Sequence, residues 1–346
     1  LNLFRGFERK PDASRSCARL LELLQTLCGE SDQDQAPLTD WVLRWLAYPL
    51  QHPGAKMQTA LVFHGDEGTG KNLFFGSVRE IYGTYGGIVT QSELESDFNA
   101  WASQKLFLIA NEVVSRMELR HQTGRLKNLI TETTININEK MLPLREEGNH
   151  IQFVFLSNET QPLILGPNDR RYVVIQTPPP RPKAFYASVR EEIDAGGVDG
   201  LYAYLMALDL GDFSEHAEAP VTDAKLALQE LGMNSAQTFA SAWREDLLDW
   251  PFVAARTQDV YRAYQRWCAR SGERMPMSLT RFSAEVAAFL KVRKQVAWLN
   301  DAGRRKQSTV FVIGTPATDK TFEAWLSGEV LTFSDALRAA DNGGHA

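Results

Sequence analysis

The segment Gly65-Asp-Glu-Gly-Thr-Gly-Lys71 has the residue types and spacing that bind a chain of phosphates. In such a loop the backbone N–H groups surround the phosphates and the lysine contacts the outer ones. A buried strand, Leu61 to Phe63, and a helix, Asn72 to Ile81, are predicted on either side, so the amino end of the helix faces the anion. The alternative is a glycine-rich turn with no ligand. The predicted nucleotide-binding residues are Gly65, Glu67, Gly68, Thr69, Gly70, Lys71 and Asn72.

A second group of polar residues follows the apolar run 106–110, which predicts a buried parallel strand. Glu112 is predicted to hold Mg²⁺ through water and to act as the general base that polarises an attacking water. Asn72 replaces the usual Ser or Thr, and Asn111 replaces a common aspartate. Amide oxygens are also hard ligands, so the predicted metal residues are Asn72, Asn111 and Glu112, and the predicted cofactors are ATP and Mg²⁺.

Two further candidates follow in the chain. Asn158 ends the strand predicted over 151–156, where an amide can contact the γ-phosphate or orient the lytic water. Arg170 and Arg171 precede another strand and are predicted to supply a guanidinium to a neighbouring subunit's nucleotide. Plain salt bridging with Asp169 is the alternative, and the sequence does not choose between the two arginines.

The segment 133–140 alternates apolar and polar residues, which predicts a half-buried strand. We expect it to form a hairpin with the strand over 151–156, through a connection with a basic tip. Lys140 and Arg145 are its basic residues; they are either solvated surface charge or, as the family resemblance given below implies, candidate DNA contacts.

Composition narrows the class of protein. The chain has 346 residues, 44% hydrophobic and 23% charged, as expected for two or three globular domains. No apolar run is long enough for a membrane span, so no membrane partner is expected. The three cysteines are too scattered for a disulfide framework or a zinc site, and a cytoplasmic location in a bacterial or phage-infected cell is expected.

The net charge of −6 is unevenly distributed. Residues 251–313 carry twelve Lys and Arg against four Asp and Glu, a net of +8, which suggests a segment that binds a polyanion. A helix is predicted just before this segment, at 238–250. Within it, helices are predicted at 257–271 and 278–290, followed by strands at about 292–299 and 308–313. Helices followed by a basic hairpin are typical of a winged helix. Its candidate phosphate contacts are Arg281, Arg304, Arg305 and Lys306.

Five segments together resemble superfamily 3 helicases: GDEGTGK at 65–71, LFLIANE at 106–112, LKNLITETTININEK at 126–140, FLSNE at 155–159 and NDRRY at 168–172. They are most similar to the helicase half of phage and mobile-element primase-helicases related to the poxvirus type. The resemblance implies an AAA+-like ATPase core, a hexameric ring that hydrolyses ATP between subunits, and a hairpin that grips single-stranded DNA in the channel. It also implies an upstream primase domain or protein as a partner, and possible binding to duplex origin DNA.

The expected fold class is therefore α/β: an AAA+-like P-loop core with a parallel central sheet, a small helical subdomain before it and a C-terminal winged-helix domain after it. We predict a helical subdomain at 1–58, the ATPase core at 59–182, a helical segment and linker at 183–237, the winged helix at 238–315 and a tail at 316–346, with a short helix near Phe322 to Leu326. The expected function is an ATP-dependent DNA helicase in replication of a phage, plasmid or integrated element. The alternative is a nucleotide-gated DNA-binding scaffold or loader with little ATP turnover, which Asn72 and Asn111 motivate.

Overall fold

The computed structural model of the chain describes residues 3–29, 32–112, 120–166, 169–301, 304–318 and 320–342. These residues form two compact units, Leu1–Leu231 and Gly232–Ala346. Within the described residues, no helix combines the length and the apolar character needed to cross a lipid bilayer.

The first unit is built on a five-stranded parallel sheet. Its strands, in chain order, are β1 (Ala60–His64), β2 (Gly86–Val89), β3 (Phe107–Asn111), β6 (Gln152–Ser157) and β7 (Tyr172–Gln176). Their order across the sheet is β2-β3-β6-β1-β7. Because β1 and β6 are buried along their whole length, both faces of the sheet must be covered, as in other parallel sheets. The α/β class with a parallel central sheet agrees with the prediction.

Each face of the sheet has its own core. Along β1, Leu61 and Phe63 face one way and Ala60 and Val62 the other, as the period of two in a strand requires. The first face is covered by α1 (Ala18–Leu27), α2 (Asp32–Gln51), α3 (Lys71–Tyr82), α6 (Lys183–Glu192) and α7 (Val198–Ala207). The predicted amino-terminal helical subdomain is therefore not a separate body, because its leucines complete the core on this face.

The second face is covered by smaller elements. They are α4 (Gln91–Glu95), α5 (Arg120–Thr131), the hairpin of β4 (Thr134–Ile137) and β5 (Arg145–Gly148), and α8 (Asp223–Leu231). The helical segment and linker predicted at 183–237 includes α8, whose Leu228 is fully buried in this core. The division between the units follows α8.

The hairpin differs from the prediction. β4 pairs with β5 in antiparallel register, Thr134 opposite Gly148 and Ile137 opposite Arg145, while the strand over 152–157 joins the central sheet. The expectation that 133–140 pairs with 151–156 was wrong. The segment 152–157 is buried on both faces, and a partner that is only half-buried cannot provide such an environment.

The segment 92–102 is helical only in part. α4 ends at Glu95, and only a single 3₁₀ turn, Ala100–Ala102, follows. Asn99 instead holds the hairpin: its side-chain amide donates to the carbonyl of Asn136, and its side-chain oxygen accepts from the N–H of Asn138. These tertiary hydrogen bonds take the place of the helical ones.

The second unit contains α9 (Ser235–Arg244), β8 (Ala255–Arg256), α10 (Thr257–Ser271), α11 (Leu279–Leu290), β9 (Arg293–Asp301), β10 (Arg304–Val312) and α12 (Phe322–Asn342). The sheet order is β8-β10-β9. The prediction of a short helix in the tail was wrong: α12 has 21 residues. Its spacing of apolar residues buries one face of the helix in this unit: Leu326, Val330, Phe333 and Leu337.

Candidate functional site

Residues distant in the sequence meet at the carboxyl edge of the central sheet. β1, β6 and β3 are neighbours in this order, with His64 opposite Ser157 and Asn111 opposite Leu156. The segments that leave these three strands therefore start side by side. This is the edge where ligands bind in open parallel sheets.

The loop after β1 depends on glycine at two positions. Gly65 has φ +134° and Gly70 has φ +91°, both in the region that side-chain-bearing residues rarely adopt. A Cβ atom on Gly65 would lie 2.5 Å from Thr177 Oγ1, and one on Gly70 would lie 2.8 Å from a methyl carbon of Leu23. The loop is thus pressed between β7 and α1, and its shape is set by packing as well as by sequence.

Lys71 is the first residue of α3 and is almost completely buried. Its Nζ donates to the carbonyl oxygens of Gly65 and Asp66, each at 2.8 Å, and to Thr69 Oγ1 at 3.3 Å. Burial lowers the pKa of this ammonium, while the charges of Asp66 and Glu67 oppose that shift. The ammonium therefore lies inside the curve of the loop, within reach of an anion bound there.

A cavity of about 640 Å³ lies against this loop. It is lined by residues of the loop, by the ends of β3 and β6, and by α6. Its volume lies in the range of small-ligand and cofactor sites. The lining residues are Glu67, Gly68, Thr69, Gly70, Lys71, Asn72, Leu73, Glu112, Asn158, Lys183, Tyr186 and Arg190.

Two of the predicted residues reach the cavity from neighbouring strands. Asn158 donates from Nδ2 to Glu67 Oε1 at 3.4 Å, so the end of β6 contacts the loop directly. Glu112 has φ +54°, which is rare for a residue with a side chain, and its N–H donates to the carbonyl of Leu156 at 2.8 Å. Backbone strain of this kind is concentrated at functional sites in proteins. The hydrogen bond to Leu156 ties this residue to β6.

The predicted metal residues are only partly brought together. Asn72 and Glu112 both line the cavity, whereas Asn111 is half-buried at the end of β3 and is not among the lining residues. Within the described part of the chain, no three His, Cys, Asp or Glu residues are grouped as a metal site. One carboxylate and one amide oxygen still fit Mg²⁺, because this ion keeps several waters and takes further ligands from phosphates.

Besides Leu73, which follows the loop in the chain, three lining residues were missed by the sequence reasoning: Lys183, Tyr186 and Arg190. Their spacing places them on one face of α6, and the two basic side chains are exposed. Arg181 donates its backbone N–H to the hydroxyl of Tyr186 at 2.9 Å, which fixes that ring beside Gly70. The helical spacing was readable, but nothing local shows that this face borders the loop.

Arg170 and Arg171 lie at the opposite edge of the sheet from the cavity. They precede Tyr172, which pairs with Ala60 at the amino end of β1, and a five-residue strand is about 16 Å long. Arg171 is 3.4 Å from Asp169, and Lys127 is 3.4 Å from the same carboxylate. Arg170 is exposed and has no partner among the described residues. Neither arginine lines the cavity of its own chain.

The hairpin holds its two predicted DNA contacts in different ways. Lys140 is exposed at the turn, beside Met141, whose side chain is 92% exposed. Arg145 does not lie at the tip as expected, because it is part of β5. It forms ion pairs with Glu139 and Glu147, both at 2.9 Å. Its guanidinium therefore closes the hairpin, and the exposed tip is largely apolar.

The predicted contacts of the second unit also differ in availability. Arg281 on α11 and Lys306 on β10 are exposed and have no partner among the described residues. Arg305 is exposed too, but its Nε and Nη2 donate to the two carboxylate oxygens of Glu323, at 2.9 and 2.8 Å. The side chain of Arg304 lies outside the described residues.

Residues 63–171 match a family model described as a family of unknown function (DUF5906). Over 215 residues the chain is 28% identical to a DNA primase-polymerase of Nitratiruptor phage NrS-1. That match covers 60% of this chain but only 29% of the phage protein, so the chain spans less than a third of its curated relative.

Solved structures of the NrS-1 C-terminal region share the fold. One apo structure has a TM-score of 0.68 and 21% identity, and a second has a TM-score of 0.66 and 22% identity. Each comparison covers 91% of this chain and 80% of the other. The similarity therefore extends over both units of the chain.

Proposed function

We propose that this chain is an ATP-dependent DNA helicase of the superfamily 3 type, acting in replication of a phage, plasmid or integrated element. The observation that carries the proposal is that the glycine loop, Lys71, Glu112 and Asn158 line the same cavity. The similarity of the chain to a phage protein described as a DNA primase-polymerase supports a role in replication. The fold, with a parallel sheet in the order β2-β3-β6-β1-β7, is consistent with an AAA+-like P-loop core.

The cavity suits a nucleoside triphosphate and Mg²⁺. The loop amides and the Lys71 ammonium would hold the phosphates, and Lys183 and Arg190 add positive charge from α6. Asn72 and Glu112 would hold the ion through oxygen and water ligands. Bound Mg²⁺ supplies charge neutralisation at the phosphates.

The protein residues would then divide the remaining work. Glu112 accepts the proton of the attacking water, and the amide of Asn158 orients that water or contacts the γ-phosphate. The contact between Asn158 and Glu67 keeps the sensor amide beside the loop. In this scheme, neither Arg170 nor Arg171, at the far edge of the sheet, acts at the cavity of its own chain.

Arg170 fits the role of a residue that acts on a neighbouring copy. It is exposed, and the length of the strands keeps it away from the cavity of its own chain. In a ring, the edge bearing Arg170 would face the nucleotide edge of the next subunit, as in head-to-tail assemblies. The hairpin tip with Lys140 and the second unit, acting as a winged helix, would contact DNA.

A second candidate is a nucleotide-gated DNA-binding scaffold or loader with little turnover. Asn72 and Asn111 favour it, because the hydroxyl and carboxylate that commonly hold Mg²⁺ are replaced by amides. Such a protein would bind ATP and DNA, assemble with nucleotide, and show no DNA-stimulated hydrolysis.

The test is steady-state ATP hydrolysis with Mg²⁺, with and without single-stranded DNA. The unaltered chain should show DNA-stimulated turnover, and Lys71→Ala, Glu112→Gln and Arg170→Ala should each lower kcat by at least about 100-fold. Lys10→Ala, an exposed lysine outside the cavity, is the matched control and should leave the rate unchanged. ATP binding without turnover in the unaltered chain would favour the scaffold instead.

A further inference from the structure

An exposed tryptophan stands on the hairpin of the second unit, the antiparallel pair β9 and β10. Trp298 on β9 is 49% exposed, and Val296, two residues earlier on the same face, is 59% exposed. Their cross-strand partners are Gln307 and Thr309. A large aromatic side chain left half in water, beside a second apolar residue, is a feature of binding surfaces.

The exposed apolar side chains are confined to one part of this hairpin. The opposite face is covered by α12, where Leu299 and Val310 are buried against Leu326 and Val330. On the face of Trp298, the base of the hairpin is also covered, since Phe311 belongs to the core of the unit. The fold thus buries Leu299, Val310 and Phe311 of the hairpin and leaves the indole of Trp298 half exposed.

Arg305 holds the indole in place. Its guanidinium carbon is 5.3 Å from the centre of the Trp298 ring, and its N–H groups are bound by Glu323. Glu323 largely neutralises this arginine, which therefore serves to position the ring more than to bind phosphate. Because Arg305 is itself held by Glu323, its contact with the indole reduces the rotamer freedom that the ring would lose on binding a ligand.

The surrounding charge indicates the ligand class. Residues 251–313 carry a net charge of +8, and Lys294, on the same face of the hairpin as Trp298 and Val296, is exposed. A polyanion with flat apolar groups matches both features, and unpaired nucleic-acid bases on a phosphate backbone are such groups. In a duplex the base faces are already stacked on one another, so they are not available to an indole.

We propose that Trp298, flanked by Val296 and positioned by Arg305, is a stacking site for an unpaired base of single-stranded DNA. The site rests on the DNA contact of the proposed function but not on ATP hydrolysis. Affinity for the strand comes from the basic residues, while the indole distinguishes unpaired bases from duplex.

The experiment measures binding of the full chain to fluorescently labelled oligo-dT and to a duplex of the same length, by anisotropy without nucleotide. Trp298→Ala should weaken oligo-dT binding by about 5- to 100-fold, because one base–aromatic stack contributes about 1–3 kcal/mol. Trp298→Phe should stay within about threefold of the unaltered chain, since it retains an aromatic face. Duplex affinity should not change.

Two controls separate stacking from loss of folding or apolar surface. Leu247→Ala removes another exposed apolar side chain of this unit and should leave binding unchanged. A single strand of the same length made entirely of abasic sites should bind more weakly than oligo-dT to the unaltered chain, and Trp298→Ala should add no further loss on that strand.

Equal oligo-dT affinity of Trp298→Ala and the unaltered chain would overturn the stacking site, and so would an equal loss on duplex. A change of oligomeric mass on substitution, with DNA binding intact, would show that a second copy of the chain covers this face. An unaltered chain that binds no single-stranded DNA overturns both this inference and the DNA contact of the proposed function. An active helicase whose Trp298→Ala variant binds normally overturns this inference alone.

Discussion

Asp169 shows how a single carboxylate separates two adjacent arginines. Its oxygens accept the N–H of Arg171 and pair with the side chains of Arg171 and Lys127. Lys225 is buried nearby; burial lowers the pKa of that lysine and Asp169 opposes the shift. Asp169 is itself almost fully buried, so its basic partners are structural. Arg170 has no such bond among the residues that the structure describes, so its guanidinium is exposed to solvent.

A prediction at this scale distinguishes the two arginines by stability. Arg171→Ala should lower the free energy of unfolding by about 1–3 kcal/mol, because a buried carboxylate loses a charged hydrogen-bond partner. Arg170→Ala should change it by less than about 0.5 kcal/mol, as is usual for an exposed side chain. Urea unfolding followed by circular dichroism measures both. Equal losses in the two variants would contradict the assignment of Arg171 to the scaffold.

At the scale of elements, the hairpin is held from three sides. Arg145 links Glu139 to Glu147 within the hairpin, Asn99 bonds its first strand, and the Asn149 side chain donates to the carbonyls of Leu129 and Glu132 in and after α5. The tip that carries Lys140 and exposed Met141, Leu142 and Leu144 is therefore presented from a fixed base. Because these bonds hold the base of the hairpin, movement of the sheet would also move the tip, as the proposed DNA translocation requires.

Lys56 connects α5 to the start of β6 from inside the unit. Its Nζ donates to the carbonyl of Leu129 at 3.0 Å and to that of Ile151. Burial lowers its pKa from 10.5 to about 7. Between these two values the unfolded chain binds a proton that the folded chain releases, so this residue makes the free energy of unfolding increase with pH.

The corresponding prediction compares the chain with Lys56→Met, in which no such proton is exchanged. The difference in unfolding free energy, unaltered minus variant, should increase by up to about 1.4 kcal/mol per pH unit above about pH 7 and level off below it. Urea unfolding at pH 7, 8 and 9 gives this difference. Lys306→Met, an exposed lysine of the other unit, controls for the lost charge. A difference that is independent of pH would refute the buried titration.

At the scale of the whole molecule, the sheet separates the cavity at the glycine loop from Arg170 by the length of its strands. Lys71 and Arg170 therefore lie at opposite edges of the sheet. If hydrolysis takes place between copies, a site needs Lys71 from one copy and Arg170 from the next.

Mixing two inactive variants tests this prediction. Lys71→Ala retains the arginine, and Arg170→Ala retains the cavity, so a 1:1 mixture should form competent interfaces at about one quarter of the sites and recover about that share of ATP hydrolysis. Lys71→Ala mixed with a Lys71→Ala, Arg170→Ala double variant is the control and should remain inactive. Absence of recovery in the first mixture, with both proteins shown to co-assemble, would mean that Arg170 does not act between copies.

The sequence alone predicted the features that depend on neighbouring residues. The glycine spacing predicted the loop from Gly65 to Lys71, and apolar runs predicted the strands β1, β3 and β6. Helix periodicity placed α3, α10 and α11 within a few residues. These features follow from local backbone preferences and from the solubility of each side chain, which a short window of sequence contains.

The tertiary structure decided which of these elements meet. The order of strands in the central sheet placed Glu112 and Asn158 beside the loop. Packing brought α6 to the cavity, and β4 paired with β5 instead of the expected strand. The tertiary structure also bound Arg145, Arg171 and Arg305 to acidic residues and left Arg170 and Trp298 exposed. The physical reason is that charge pairing and burial depend on contacts between residues far apart in the chain, and local sequence carries no record of them.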